Sequence, residues 1–144
     1  MYTVYLAGEI HSNWREEIIE KCEGTPISFL TPECVHASSD DIGKNVLGEQ
    51  GNDFYNDNVS AKINSMRNHT YIQQADIVVV RFGEKYKQWN AAFDAGFATA
   101  LNKKLIVIHP QDYIHALKEI DAAASAVVQN QAQVVEILRH LVRK

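Results

Sequence analysis

Cysteine is scarce in this sequence: Cys22 and Cys34 are the two thiols among 144 residues, with eleven residues between them. That spacing makes neither a zinc pattern nor a disulfide framework, so both read as ordinary thiols of a reducing compartment. Long apolar runs are missing too. No stretch approaches the roughly 20 residues that span a bilayer, and the opening MYTVYLAGE lacks the basic-then-apolar layout of a secretory signal. The expectation is a cytoplasmic chain with no membrane partner. Nor is there an excess of positive charge: the net charge is -4, the pI is near 5.8, and the lysines and arginines are scattered. Without a basic field, a nucleic-acid polymer is not expected as partner, and small molecules are. Repeats and low-complexity segments are absent. What is present is 46% hydrophobic content in a length suited to one domain, residues 1–144, with one core.

The chain is organised around residues 88–104, QWNAAFDAGFATALNKK. Trp89, Ala92, Phe93, Gly96, Phe97, Ala100 and Leu101 fall at the spacing of one helical face, which predicts an amphipathic helix packed through that face. Asp94 interrupts the pattern. It stands beside the stripe on a narrow face with Ala91, Ala95 and Ala98, where small side chains leave room for a ligand. Gly96 costs helix stability, roughly 1 kcal/mol against alanine. Two readings stay open: Asp94 complements the helix N-terminus while Gly96 admits a neighbouring strand, or both serve a ligand.

Residues 3–7 form an apolar, β-branched and aromatic strand that stops at Gly8, and a helical pattern begins near Asn13. Ser12 and Asn13 are both candidate N-caps, and Glu16 completes a capping-box spacing with Asn13. The helix start could hold a phosphate or carboxylate, or simply follow a tight turn. Strands are expected at 27–30, 76–82, 104–109 and 124–128, and helices at 59–74, 111–120 and 131–142. From 33 to about 58 no period is sustained, which predicts a long loop acting as a lid. Its His36, Asp40, Asp41, Glu49 and Asp53 match no metal spacing and read as solvated charges. The near-continuous runs DIVVVRF and KLIVIH suit strands buried on both faces. Strands alternating with helices predict an α/β, doubly wound, flavodoxin-like or Rossmann-like three-layer sandwich of about five parallel strands. In that architecture Gly8 to Ser12, residues from Pro32, residues 81–89 and His109 gather at one crevice. The turn after Gly8 lacks the serines and threonines of a flavin site, and no cofactor is expected.

Four features occur together: YLAG at 5–8, Arg67-Asn68, ADIVVV at 75–80, and FDAGFA before KKLIV. In order and spacing they resemble the nucleoside 2-deoxyribosyltransferase superfamily, and the chain as a whole resembles its YtoQ branch. The most specific part is Asp94, Ala95, Gly96, Phe97 and Ala98, matching an acidic residue, any residue, glycine, an aromatic and alanine. The resemblance implies that Asp94 is a nucleophile toward the anomeric carbon of a ribosyl or deoxyribosyl group and that Tyr5 positions it, with no metal required. Transferases usually carry glutamate there, so aspartate, one methylene shorter, demands a deeper sugar or a nearer helix. Asn68 and Gln88 stand where base-handling aspartates are expected, and amides cannot act as general acids. Glu9, His11 and Glu84 are alternatives for that role. The implied substrate contacts are Gly8, Glu9, His11, Ser12, Asn68, Gln88, Trp89 and Asn90, and the implied partner is a nucleoside or nucleotide. A binding module that kept the crevice without the chemistry is the alternative. A homo-oligomer is expected, built on QAQVVEILRHLVRK and exposed aromatics such as Trp89, although that last helix could instead cover its own sheet.

Overall fold

Short β-branched runs separated by helical segments assemble, in a computed structural model that describes residues 1–85, 87 and 89–143, into one five-stranded parallel sheet. The strands are β1 (Tyr2–Gly8), β2 (Ile27–Leu30), β3 (Ile77–Arg81), β4 (Lys104–Ile108) and β5 (Ala126–Val128). The helices are α1 (Trp14–Lys21), α2 (His36–Ser39), α3 (Ile42–Leu47), α4 (Asp53–Gln74), α5 (Trp89–Ala100), α6 (Lys118–Ala123) and α7 (Gln131–Leu141). The sheet runs β2-β1-β3-β4-β5, the doubly wound order expected. Strand order reverses between β1 and β3, so their carboxyl ends form the topological switch point, where such sheets bind ligands.

Both central strands are apolar at nearly every position because both faces are covered. Val4 and Leu6 of β1 join Ile77, Val79, Ile106 and Ile108 in a core with Trp14 and Ile18 of α1 and Val134 and Leu138 of α7. By strand alternation, Tyr5 and Ala7 turn to the opposite face, where α5 packs on β1, β3 and β4. With Val134, Val135 and Leu138 buried, α7 spends its apolar stripe on its own sheet. The C-terminal segment therefore covers the core instead of offering that stripe to a second copy. Cys22 is buried, with its thiol pKa raised by desolvation, as suits an inert core thiol.

Several expected details are corrected. The buried side of α5 is Ala91, Ala95 and Ala98, while Trp89 and Phe93 are 74% and 62% exposed. The helix is apolar on several sides, so periodicity alone does not choose a face. Packing chooses the alanines, whose short side chains let α5 lie close to the sheet. Gly96 marks no close approach, since an added Cβ would meet nothing within 4 Å. Asn13 makes no side-chain cap hydrogen bond, so the capping box does not form. Residues 33–58 hold α2, α3 and the first turn of α4, and residues 111–120 are a 3-10 turn at Gln111–Tyr113 followed by the start of α6. No described helix is long and apolar enough to cross a membrane.

Backbone contacts divide the chain into two compact units, Met1–Thr31 with Ile72–Lys144, and Pro32–Tyr71. Within the second, α3 rests on α4 through Gly43: its N–H donates to Ser60 Oγ at 3.0 Å, and a Cβ there would lie 2.7 Å from Ser60 N. Asn64 Nδ2 donates to the Ser39 carbonyl at 2.9 Å, tying α2 to the same helix.

Within the first unit, β1 ends where it must approach β3 closely. Gly8 has φ +104°, and a Cβ on it would lie 2.2 Å from the Arg81 carbonyl oxygen, which accepts the Glu9 N–H at 3.0 Å. Both the positive φ and the lack of room require glycine. Gly8→Ala is expected to cost at least about 3 kcal/mol, read as a lowered denaturant midpoint. A loss below about 1 kcal/mol would contradict this account.

Candidate functional site

The site is built on the carboxyl ends of β1 and β3. Arg15, in the first turn of α1, is 2% exposed and points back to the end of β1. Its Nε donates to the Leu6 carbonyl at 2.8 Å, Nη2 to Gly8 at 3.0 Å and Nη1 to Glu9 at 2.6 Å. Trp14 Nε1 donates to the same Glu9 oxygen at 2.9 Å. The main chain leaving β1 is thereby fixed by side chains of the helix that follows it.

Glu9 is itself buried, at 4% exposure. Its carboxylate accepts the His11 N–H and the Ser12 hydroxyl, the latter at 2.8 Å, and lies 3.3 Å from Arg81 Nε. That last approach is an ion pair by distance and lacks hydrogen-bond alignment. Arg81 Nη1 donates to Gln131 Oε1 at 3.1 Å, and Gln131 Nε2 donates to Glu17 at 2.6 Å, so one polar chain links β3, α7 and α1. The Glu9 carboxylate is thus an acceptor for the turn that follows it and the ion-pair partner of Arg81.

Asp94 lies on the sheet-facing side of α5, in register with Ala91 and Ala98 and partly buried. Desolvation pushes its pKa up to about 6, and the Arg15 charge opposes that rise. The partly desolvated carboxylate thus lies within the field of a fixed cation. Tyr5 is fully buried on the sheet face that α5 covers. His109, at the end of β4, is 3% exposed, with Nδ1 2.7 Å from the Pro110 carbonyl and Nε2 3.0 Å from both Asp121 oxygens. Both ring nitrogens are therefore engaged in holding the connection from β4 to α6.

The other expected contacts are spread more widely. Gly8 and Glu9 are at the switch point, and Ser12 is solvent-exposed but bonded to Glu9. His11, Glu84, Trp89 and Asn90 have exposed side chains. Asn68 is on α4 in the Pro32–Tyr71 unit, and Gln88 lies outside the described residues. Asp76 is structural: its Oδ2 accepts the Thr3 N–H at 2.8 Å, and its own N–H donates to the Thr3 carbonyl, also at 2.8 Å. Sequence reasoning missed Arg15. Its signal was a cation in the first turn of a helix, where the dipole disfavours one. Among the described residues, no three of His, Cys, Asp and Glu are grouped so that they could hold a metal ion.

The family model described as nucleoside 2-deoxyribosyltransferase YtoQ matches residues 5–142. The chain is 45% identical over 142 residues to the uncharacterized protein YtoQ of Bacillus subtilis (strain 168), covering 97% of this chain and 96% of that protein. Among solved structures, the Clostridium botulinum CMP N-glycosidase BcmB aligns with TM-score 0.58 at 13% identity, over 96% of this chain and 98% of that one. A 2-deoxyribosyltransferase from Bacillus psychrosaccharolyticus aligns with TM-score 0.58 at 18% identity, over 92% and 90%. A conserved protein from Enterococcus faecalis V583 reaches 0.65 at 13% identity, over 98% and 99%. At these identities the structures establish a shared fold.

The Asp94 environment has a thermodynamic consequence. An acid whose pKa is raised on folding binds its proton more tightly in the folded chain, so it disfavours folding progressively as pH rises from about 4 to about 6. Above that window the desolvated charge costs on the order of 3 kcal/mol. Asp94→Asn is expected to be more stable than wild type by ~1–3 kcal/mol at pH 7.5, with the difference shrinking toward zero near pH 4. Denaturant midpoints at the two pH values measure it, and a pH-independent difference would contradict the assignment.

Proposed function

The chain belongs to the nucleoside 2-deoxyribosyltransferase YtoQ family, and from that membership we propose that it breaks the N-glycosidic bond of a nucleoside or nucleotide with Asp94 as nucleophile. The observation that carries this reading is the partly buried Asp94 carboxylate on the sheet-facing side of α5, desolvated yet within the field of Arg15. A carboxylate with a pKa near 6 is largely ionised at neutral pH and poorly hydrated, which suits it to stabilise and then trap an oxocarbenium-like sugar.

In this mechanism an Asp94 oxygen forms a bond to the anomeric carbon as the base leaves with the electrons of the C–N bond and takes up a proton from solvent water. Water or a second base then attacks the same carbon and releases Asp94, so configuration is retained over the two displacements. Tyr5, beneath α5, is assigned the positioning of the carboxylate. Amide side chains can hydrogen-bond a base edge but cannot protonate it. Bases that leave without strong acid assistance are accordingly the favoured leaving groups.

The test is base release from a panel of nucleosides and nucleotides. Asp94→Ala is expected to lose at least about 1,000-fold in rate. Wild-type kcat/KM is expected to fall as pH drops through about 6, where Asp94 takes up its proton. Equal background release by the two proteins would end the enzymatic reading, and ligand-dependent thermal shifts without turnover would leave a binding module. The reading also includes a homo-oligomer, supported by the exposed Trp89 and Phe93 on the outer side of α5. Light scattering should give a mass of at least a dimer, and a concentration-independent monomer would remove this part.

A further inference from the structure

Two hydrogen-bond donors and a guanidinium converge on one buried acid at the end of β1. The Glu9 carboxylate takes the His11 N–H and the Ser12 hydroxyl and is ion-paired with Arg81. A backbone N–H just before a helix, a hydroxyl and a guanidinium are the donor types that hold a phosphate, and the switch point of a parallel sheet is where phosphates are held. In this chain the protein's own carboxylate takes that place. The loop after β3 is shaped around it, since a Cβ on Gly83 would lie 2.4 Å from Glu9 Cγ. Arg81 is further restrained by its bond to Gln131, which is itself bound to Glu17.

Glu9 also belongs to the surroundings of Asp94. The helix α5 follows β3 and packs on β1, so Asp94 in its second turn and Glu9 directly after β1 both stand toward the carboxyl ends of these strands, and the Arg15 guanidinium bonds the Glu9 carbonyl at 2.6 Å. A pentose held with its anomeric carbon at Asp94 would lie over this same switch point. With its 5′ end turned toward β1, such a pentose would meet Glu9 and the donors that Glu9 occupies.

We infer that Glu9 is a specificity-determining residue, an internal anion filling the position a 5′-phosphate would need, so that the substrate of the Asp94 site is an unphosphorylated nucleoside. The inference rests on the glycosidic reading of Asp94, which fixes where the sugar lies. A phosphate brought to this position would face a carboxylate of like charge and find its donors already taken, whereas a 5′-hydroxyl carries no charge and can donate to an acceptor.

The experiment compares each nucleoside with its 5′-monophosphate in wild type, Glu9→Gln and Glu9→Ser. Rates are followed by base release, and binding is followed by calorimetry on Asp94→Ala, which keeps the pocket without the nucleophile. Wild type should favour nucleosides by at least about 100-fold in kcat/KM, and the Asp94→Ala protein should bind them correspondingly tighter. Whichever Glu9 variant folds should narrow that preference by about 10-fold or more, mainly through KM for the monophosphate. Equal or tighter handling of the monophosphate by wild type overturns the proposal, as does an unchanged preference in a folded Glu9 variant. If neither variant folds, the wild-type preference decides. If no compound releases its base but nucleosides still bind in preference to monophosphates, the catalytic reading fails and the Glu9 assignment stands. If neither class binds, both fail.

Discussion

The interaction on which the rest of this structure depends is the buried guanidinium of Arg15 at the end of β1. A strand that leaves a sheet exposes carbonyls that have lost their ladder partners, and burying them unpaired is costly. Arg15 bonds those of Leu6, Gly8 and Glu9 at once. Burying a guanidinium is itself expensive, and several well-aligned acceptors are what make it tolerable. Each side therefore satisfies the other. Two consequences reach the site: the main chain of Glu9 is fixed, which aims its carboxylate at Arg81 and Ser12, and a positive charge is installed near Asp94. Desolvation alone would carry Asp94 further toward its neutral form, and the Arg15 charge moderates that rise.

The sheet could be read from sequence because its central strands are covered on both sides. Such burial writes itself as unbroken apolar runs, as in residues 77–80 and 105–108, all of them buried. The helices were less legible for different reasons. In α5 nearly every side is apolar, so the choice of the alanine side depended on the sheet it packs against. The helices α2 and α3 span four and six residues, too few for a helical period to repeat. The capping box at Asn13 and Glu16 failed because Ser12 turns back to Glu9 and Trp14 and Arg15 anchor the helix start instead.

Legibility at the site follows the same line between local and tertiary information. Asp94 was visible because a carboxylate among alanines breaks a local pattern. Gly8 was visible as the stop of a strand, although the reason for it, the Arg81 carbonyl 2.2 Å from where a Cβ would stand, is a contact across 73 positions of sequence. Arg15 gave only an indirect sign, and the donors gathered on Glu9 gave none. They come from the turn beside it and from β3, and the turn residues alone fit an open anion site equally well. What the fold adds is that the position is already taken.

The alanine side of α5 and the identity of residue 94 belong to one constraint. An aspartate reaches about one methylene less far than a glutamate, so the same chemistry requires a shorter path from helix to substrate. Ala91, Ala95 and Ala98, each no more than 3% exposed, supply that path by letting the helix settle close to β1, β3 and β4. Larger side chains on that face would lift the helix and draw the carboxylate away from the switch point, or strain the sheet beneath it. The same closeness strips water from Asp94 and produces the raised pKa. Under the proposed reading, then, the short side chain, the small-residue face and the desolvated carboxylate are one arrangement. Its geometry places the nucleophile, and its cost falls on the stability of the folded chain.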